Sequence, residues 1–436
     1  NKDYRGSVMM VTLVIFGSLV LFLILGIPIG VSLGLASLCA ILYSGIIDIN
    51  YLAQTLITST DSFPLMAIPF FVLAGDLMGK GGISKRLLKV ADAIFGRFTG
   101  SLAFITVAGC IFFAAISGSG PATVAAIGGL MVPAMIESGY NKRFSAAVSA
   151  SSGSIGVIIP PSIPMVMYGI STGVSITMLF MAGMIPGIII GVLLMLYSYY
   201  YCKKHGYKST TSSSFSIKNL LSAVNEAKWS LIMPLIILGG IYGGVFTPTE
   251  AGAVAVIYGY IIGRFVYKEL KLKDVPDILK NSALTTATVL IIVGTATSFG
   301  RILTIEQVPL TIANFIQSLT SSPAIILLLI NILLLIVGTF MDTTAAIIIL
   351  APILFPIATS VGIDPVHFGI VMVVNLSIGF ITPPLGVNLF VACGISKLSL
   401  EEMSKGIIPF FLVMVLALTI ITYIPSVSLW LPRLFF

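Results

Sequence analysis

Two kinds of polar interruption break the apolar runs of this sequence, and both bring oxygen atoms. The first is a tip: Ser117-Gly118-Ser119-Gly120-Pro121, followed by Thr123. The second is a break, in which Ser151, Ser152 and Ser154 precede Gly156, Pro160, Pro161 and Pro164. Both recur later in the chain. A second tip holds Thr339, Asp342, Thr343 and Thr344, and a second break holds Asn375, Ser377, Gly379, Thr382, Pro383, Pro384 and Asn388. A hard monovalent cation wants a cage of oxygens, which hydroxyls and unwound carbonyls supply without a full charge. Sodium is the natural occupant, with no other metal or cofactor expected. Its candidate ligands are Ser117, Ser119, Thr123, Ser154, Gly156, Thr339, Asp342, Thr343, Ser377 and Gly379.

The half-helices restarting near Pro161 and Pro384 have proline where no backbone donor is needed, so their remaining free N–H groups aim a positive dipole end at the same place. That field suits a carboxylate-bearing solute. Ser152, Pro160, Pro161, Asn375, Thr382, Pro383, Pro384 and Asn388 are the candidate substrate-binding residues.

The elements that position these residues are set by composition. Of 436 residues only 9% are charged and 57% are hydrophobic, with a mean hydropathy of +1.11. An ordinary soluble domain has about 25% charged residues, so a conventional soluble enzyme is excluded and a polytopic all-α membrane protein follows. Apolar runs suited to spanning include Val8 to Leu25, Pro28 to Tyr43, Phe63 to Met78, Met178 to Cys202, Trp229 to Val245, Ala251 to Tyr267, Leu284 to Leu303 and Ile407 to Ile424. Between the first two, Gly26 to Gly30 reads as a turn or a kink. The net charge of +7 comes from basic clusters at Lys80 to Arg97, Lys142 and Arg143, Lys203 to Lys208, and Arg264 to Lys280. By the positive-inside rule these clusters face the cytoplasm. Ile83 to Ile94 is apolar on one helical face and basic on the other, as in an interfacial helix, and Ile217 to Val224 repeats the pattern.

The recurrence has one offset. Ser154, Ile155, Gly156, Ile158, Pro160 and Pro161 map onto Ser377, Ile378, Gly379, Ile381, Pro383 and Pro384, 223 positions later, and the same shift carries Pro133 onto Pro356 and Gly139 onto Gly362. Each copy reads as a helical hairpin followed by a broken helix. The arms of the first, about 28 and 21 Å long at 1.5 Å per residue, have basic flanks, and the second arm is expected to be too short to cross. The second hairpin, with arms of about 24 and 26 Å, has neutral flanks. Two re-entrant hairpins entering from opposite faces make an inverted repeat, the architecture of secondary transporters. Each feature alone has a plainer explanation: small residues ease helix packing and prolines kink membrane helices. The paired repetition favours a transport site. Asp61, Asp76, Glu137, Glu250, Arg301 and Glu306 lie at segment ends, where interface caps or ion pairs are the usual role.

The expected organisation is a scaffold over 1–97, a first transport unit over 98–177, scaffold and linking arms over 178–307, a second transport unit over 308–400, and a C-terminal helix over 401–436. The four cysteines and two histidines form no metal or disulfide pattern. With no His-Glu-x-x-His motif and no paired intramembrane aspartates, an intramembrane enzyme is not expected. The opening Asn1-Lys2-Asp3, without a leading Met, fits trimming, an artificial boundary or cleavage from a longer polypeptide.

Gly26-Ile27-Pro28-Ile29-Gly30, the run from Ser62 to Gly75, the tip Ser117 to Thr123 and the break Gly156 to Ser162 together resemble the large membrane subunit of tripartite ATP-independent periplasmic (TRAP) transporters, and the likeness covers essentially the whole chain. The resemblance implies sodium-driven import of an organic acid, such as sialic acid or a C4-dicarboxylate, across the bacterial inner membrane by an elevator motion. It implies two partners, a small four-helix membrane subunit, separate or fused upstream, and a periplasmic substrate-binding protein. An autonomous sodium/dicarboxylate symporter needing no binding protein is the alternative.

Overall fold

Glycines and short polar side chains start and stop the helices. In the computed structural model, which describes residues 2–45, 48–207, 209, 216–308, 322–383 and 386–435, the described residues form helices and connecting turns with no strand. Asn141 opens the helix Lys142–Gly153 by accepting hydrogen bonds from the backbone of Arg143 and Phe144, at 2.9 and 3.3 Å. Asp364 does the same for Pro365–Gly379, accepting from Val366 and His367 at 2.9 and 3.1 Å. Such caps satisfy amide donors that a helix start leaves free. The turns before them pass through Gly139 and Gly362, each at φ 84°, a left-handed conformation that glycine adopts without steric penalty.

The 223-residue offset therefore holds for the elements as well as the letters. Helices Ser101–Ser117, Gly120–Glu137, Lys142–Gly153, Ile163–Thr172 and Ile176–Lys204 recur as Pro323–Gly338, Thr343–Ser360, Pro365–Gly379, Val387–Ser396 and Leu400–Tyr423, with starts displaced by 222 to 224. The repeat thus extends one helix beyond what the tip and break motifs reveal.

Two sequence expectations change and one open alternative is settled. Gly120 and Pro121 join the arm after the first tip as its opening turn, a place where proline's missing donor costs nothing. That arm has 18 residues, about 27 Å, and is long and apolar enough to cross. Ile217 to Val224 is not a separate surface helix, for Ile217–Tyr242 is continuous over 26 residues. Between Gly26 and Gly30 the chain makes a turn, since one helix ends at Ile24 and the next starts at Ile29. The surface helix Ile83–Phe95 does form, with Ile83, Leu87 and Ala91 buried. Arg86 holds it in place by donating to Glu269 at 2.7 Å and lying 3.6 Å from the Tyr267 ring centre.

Eight helices among the described residues are long and apolar enough to span a membrane. Those outside the two repeated units show apolar side chains to the surroundings, Leu235, Ile257 and Leu284 among them. The two broken helices lie at the centre instead, and every residue of 144–169 and of 366–381 is buried. Aromatic rings fix the first of them at its start: Phe144 stacks on Tyr201 at 4.0 Å, and Tyr140 on Tyr207 at 4.3 Å.

Candidate functional site

The first tip is an oxygen cluster closed by its own backbone. Ser117 ends one helix, Gly118 turns the chain at φ 62°, and Ser119 caps the next helix, its Oγ accepting from the Ala122 amide at 3.4 Å. Thr123 Oγ1 donates to the Ser119 carbonyl at 2.7 Å and lies 2.9 Å from Ser117 Oγ. Ser117 and Thr123 are buried.

The first break packs directly on this tip. Helix Lys142–Gly153 gives way to a single tight turn, Ser154–Val157, and helical structure resumes only at Ile163. A Cβ placed on Gly156 would come within 2.6 Å of the Ser119 carbonyl oxygen, and one placed on Gly118 within 2.8 Å of the Pro161 carbonyl. Both glycines are therefore required by close approach. Pro160 and Pro161, joined by a cis peptide, are buried in the connection, and Ser162 caps the restarting helix.

The second half reaches into this arrangement. Asn388, at the start of Val387–Ser396, donates through Nδ2 to the Ala150 carbonyl at 3.1 Å and to Ser154 Oγ at 3.2 Å. Phe380 and the Asn388 side-chain oxygen both lie against Gly120. That oxygen is buried without a hydrogen-bond partner, and so are the hydroxyls of Ser149 and Ser152. Orphaned buried oxygens are rare and need an explanation.

The second tip and break also join each other. Gly379 approaches the backbone of Gly338 so closely that position 379 could not carry a side chain, and Thr343 Oγ1 donates to the Leu376 carbonyl at 3.3 Å. Asp342 caps the following helix through a 2.9 Å bond from Thr344 and is exposed, while Thr339 bonds back to Ile336 within its own helix. Ser377 and Thr382 likewise bond to carbonyls of their own segment, Val374 and Ile378. Pro383 is half-buried, and Pro384 lies outside the described residues. Asn375 donates to the side chain and backbone of Asn331 at 2.7 and 3.0 Å, and its own oxygen is buried without a partner.

Ser117, Ser119, Thr123, Ser154, Gly156 and Asn388 thus come together, as do Thr343, Ser377 and Gly379 near the second joint. Sequence reasoning missed Asn331, an isolated polar residue in an apolar run, and Ser149, two residues upstream of the break. A polar residue inside an apolar segment was the available signal for both. Of the charged residues read as end caps or pairs, Asp76 accepts from Ser282 at 2.6 Å and Glu250 completes a capping box with Thr247.

Residues 16–427 match the family described as "Tripartite ATP-independent periplasmic transporter, DctM component". The chain belongs to this family. It is 54% identical to the isethionate TRAP transporter permease protein of Oleidesulfovibrio alaskensis, over 96% of the chain, and spans 66% of that relative's length. It is 40% identical to the C4-dicarboxylate TRAP large permease of Rhodobacter capsulatus, covering 98% of this chain and 99% of that one. The sialic acid TRAP large permease of Vibrio cholerae is 39% identical over 97% and 98%. Among solved structures, the YdaH transporter of Alcanivorax borkumensis has a similar fold, with a TM-score of 0.61 at 18% identity over 89% of this chain and 90% of that one. This TRAP large permease is accordingly a multi-pass protein of the inner membrane and not an enzyme.

Proposed function

We propose that this TRAP large permease imports a small organic anion by coupling its movement to sodium. The observation that carries the reading is the junction of first tip, first break and Asn388, where buried oxygens of Ser149, Ser152 and Asn388 have no protein partner. A monovalent cation bound among neutral oxygens beside a polar solute accounts for those free oxygens. Ser117, Ser119, Thr123, Ser154 and Gly156 line the first such place; Thr339, Asp342, Thr343, Ser377 and Gly379 belong to the second, with Ser152, Pro160, Pro161, Asn375, Thr382, Pro383, Pro384 and Asn388 toward the solute.

The two repeated units form the moving part, entering from opposite faces, and the surrounding helices stay in place as they travel. A small four-helix membrane subunit, separate or fused upstream, and a periplasmic binding protein complete the transporter. The 54% identity to an isethionate permease puts a short sulfonate first among the solutes to assay, with C4-dicarboxylates and sialic acid beside it.

The test is uptake of these labelled anions into vesicles holding this chain with its partners. An inward sodium gradient should drive accumulation, and replacing sodium by choline should reduce it at least tenfold. Equal uptake in choline sinks the sodium coupling, and uptake without the binding protein supports the autonomous symporter instead.

A further inference from the structure

We infer that a cleft beside Arg301 is a docking site for the anionic head of the solute, a carboxylate or a sulfonate, separate from the tips and breaks. The inference rests on the reading of the chain as an organic-anion importer. The cleft has a volume of about 440 Å³, within the ~300–1,000 Å³ of small-molecule sites. Three elements wall it. Helix Val275–Ile305 contributes Thr297 and Arg301, helix Ile163–Thr172 contributes Ser171, and helix Thr343–Ser360 contributes Ile348, with Ser62 also lining it.

Among the described residues, Arg301 is the only charged one lining the cleft. Among the described residues it makes no ion pair and no hydrogen bond, and the hydroxyls of Ser62, Ser171 and Thr297 also lack a protein partner. Arg301 is exposed close to the end of its helix, so its guanidinium is open to an arriving anion. Its planar fork matches two oxygens of a carboxylate or sulfonate, and the three hydroxyls donate around it. Among the described residues no carboxylate lines the cleft to compete for the cation.

Its place in the fold adds a direction. Helix Val275–Ile305 starts beside the basic run Arg264 to Lys280, and Arg301 is near its opposite end. The positive-inside rule puts that end outside. One wall of the cleft belongs to the stationary helices and the other two to the repeated units. An anion bound there bridges them and is handed on when they separate.

Phenylglyoxal modification of Arg301 in the purified full chain, followed by peptide mass mapping, tests the site without any variant. Isethionate, succinate or sialic acid should slow modification of Arg301 at least fivefold relative to the same concentration of chloride. Equal rates with all three anions and chloride overturn the proposal. In uptake assays, Arg301→Gln should raise KM at least tenfold with kcat within twofold, and Arg301→Lys should recover part of the loss; an unchanged KM in Arg301→Gln also overturns it. Protection by an anion that persists while uptake ignores sodium would remove the coupling reading and leave this one standing.

Discussion

Gly118 shows how tightly a single residue is specified at the first tip. Its φ of 62° and its approach to the Pro161 carbonyl are separate demands. Gly173 has a similar φ of 76° with open space around it. Gly118→Ala therefore carries the left-handed penalty of about 1–2 kcal/mol and a clash besides, whereas Gly173→Ala carries only the penalty. Thermal unfolding in detergent should rank Gly118→Ala well below Gly173→Ala, with uptake lost only in the former; equal melting temperatures would remove the packing argument. Asn388→Leu leaves the Ala150 carbonyl and Ser154 hydroxyl without their donor at full burial. Losing a buried hydrogen bond in this way costs about 1–3 kcal/mol, and the same melting assay should register it. The Ser-Gly tip was legible in the letters because glycine and proline mark breaks wherever they fall. Asn388 was legible only as a polar residue after a break, for nothing local signals that it crosses to residues 150 and 154.

At the level of elements, the second broken helix is secured by a buried polar chain. His367 Nδ1 lies 2.7 Å from Ser428 Oγ, and its Nε2 lies 3.1 Å from the Thr422 carbonyl. Asn331 Nδ2 donates to Thr422 Oγ1 at 3.1 Å, and Asn375 completes the chain by donating to Asn331. The chain ties a hairpin arm, the C-terminal helix and the broken helix together two residues before Ser377. Asn331→Leu should lower the melting temperature and reduce uptake, because the Asn375 amide is left without its side-chain acceptor at a cost of about 1–3 kcal/mol. An unchanged melting temperature would show that the neighbouring backbone carbonyl suffices. The helices themselves were readable from apolar runs and caps such as Asn141 and Asp364. The role of His367 was not legible in the letters, since its partners lie 55 and 61 positions away.

For the whole molecule, the question is whether the repeated units move against the surrounding helices. Gly300 and Pro352 lie on either side of that boundary, and a Cβ at 300 would be 4.0 Å from Pro352 Cβ, within the 3.5–4.5 Å of disulfides. With the four native cysteines replaced, Gly300→Cys with Pro352→Cys should stop uptake under oxidation and regain it on reduction. Undiminished uptake with the bridge formed would rule out relative motion at this boundary. The 223-residue offset was legible from a few motif letters, but its extension to Ile176–Lys204 and Leu400–Tyr423 was not, because lipid-facing helices satisfy the same apolar rule with many different side chains.

The rings stacked at the start of the first broken helix have a practical consequence. The chain has 15 tyrosines but only two tryptophans, so face-to-face pairs such as Tyr140 with Tyr207 supply a chiral optical signature in the near ultraviolet. Should solute or salt loosen that helix from its long neighbour, the dichroism would change without any attached dye, and Tyr207→Leu would identify the share owed to this pair.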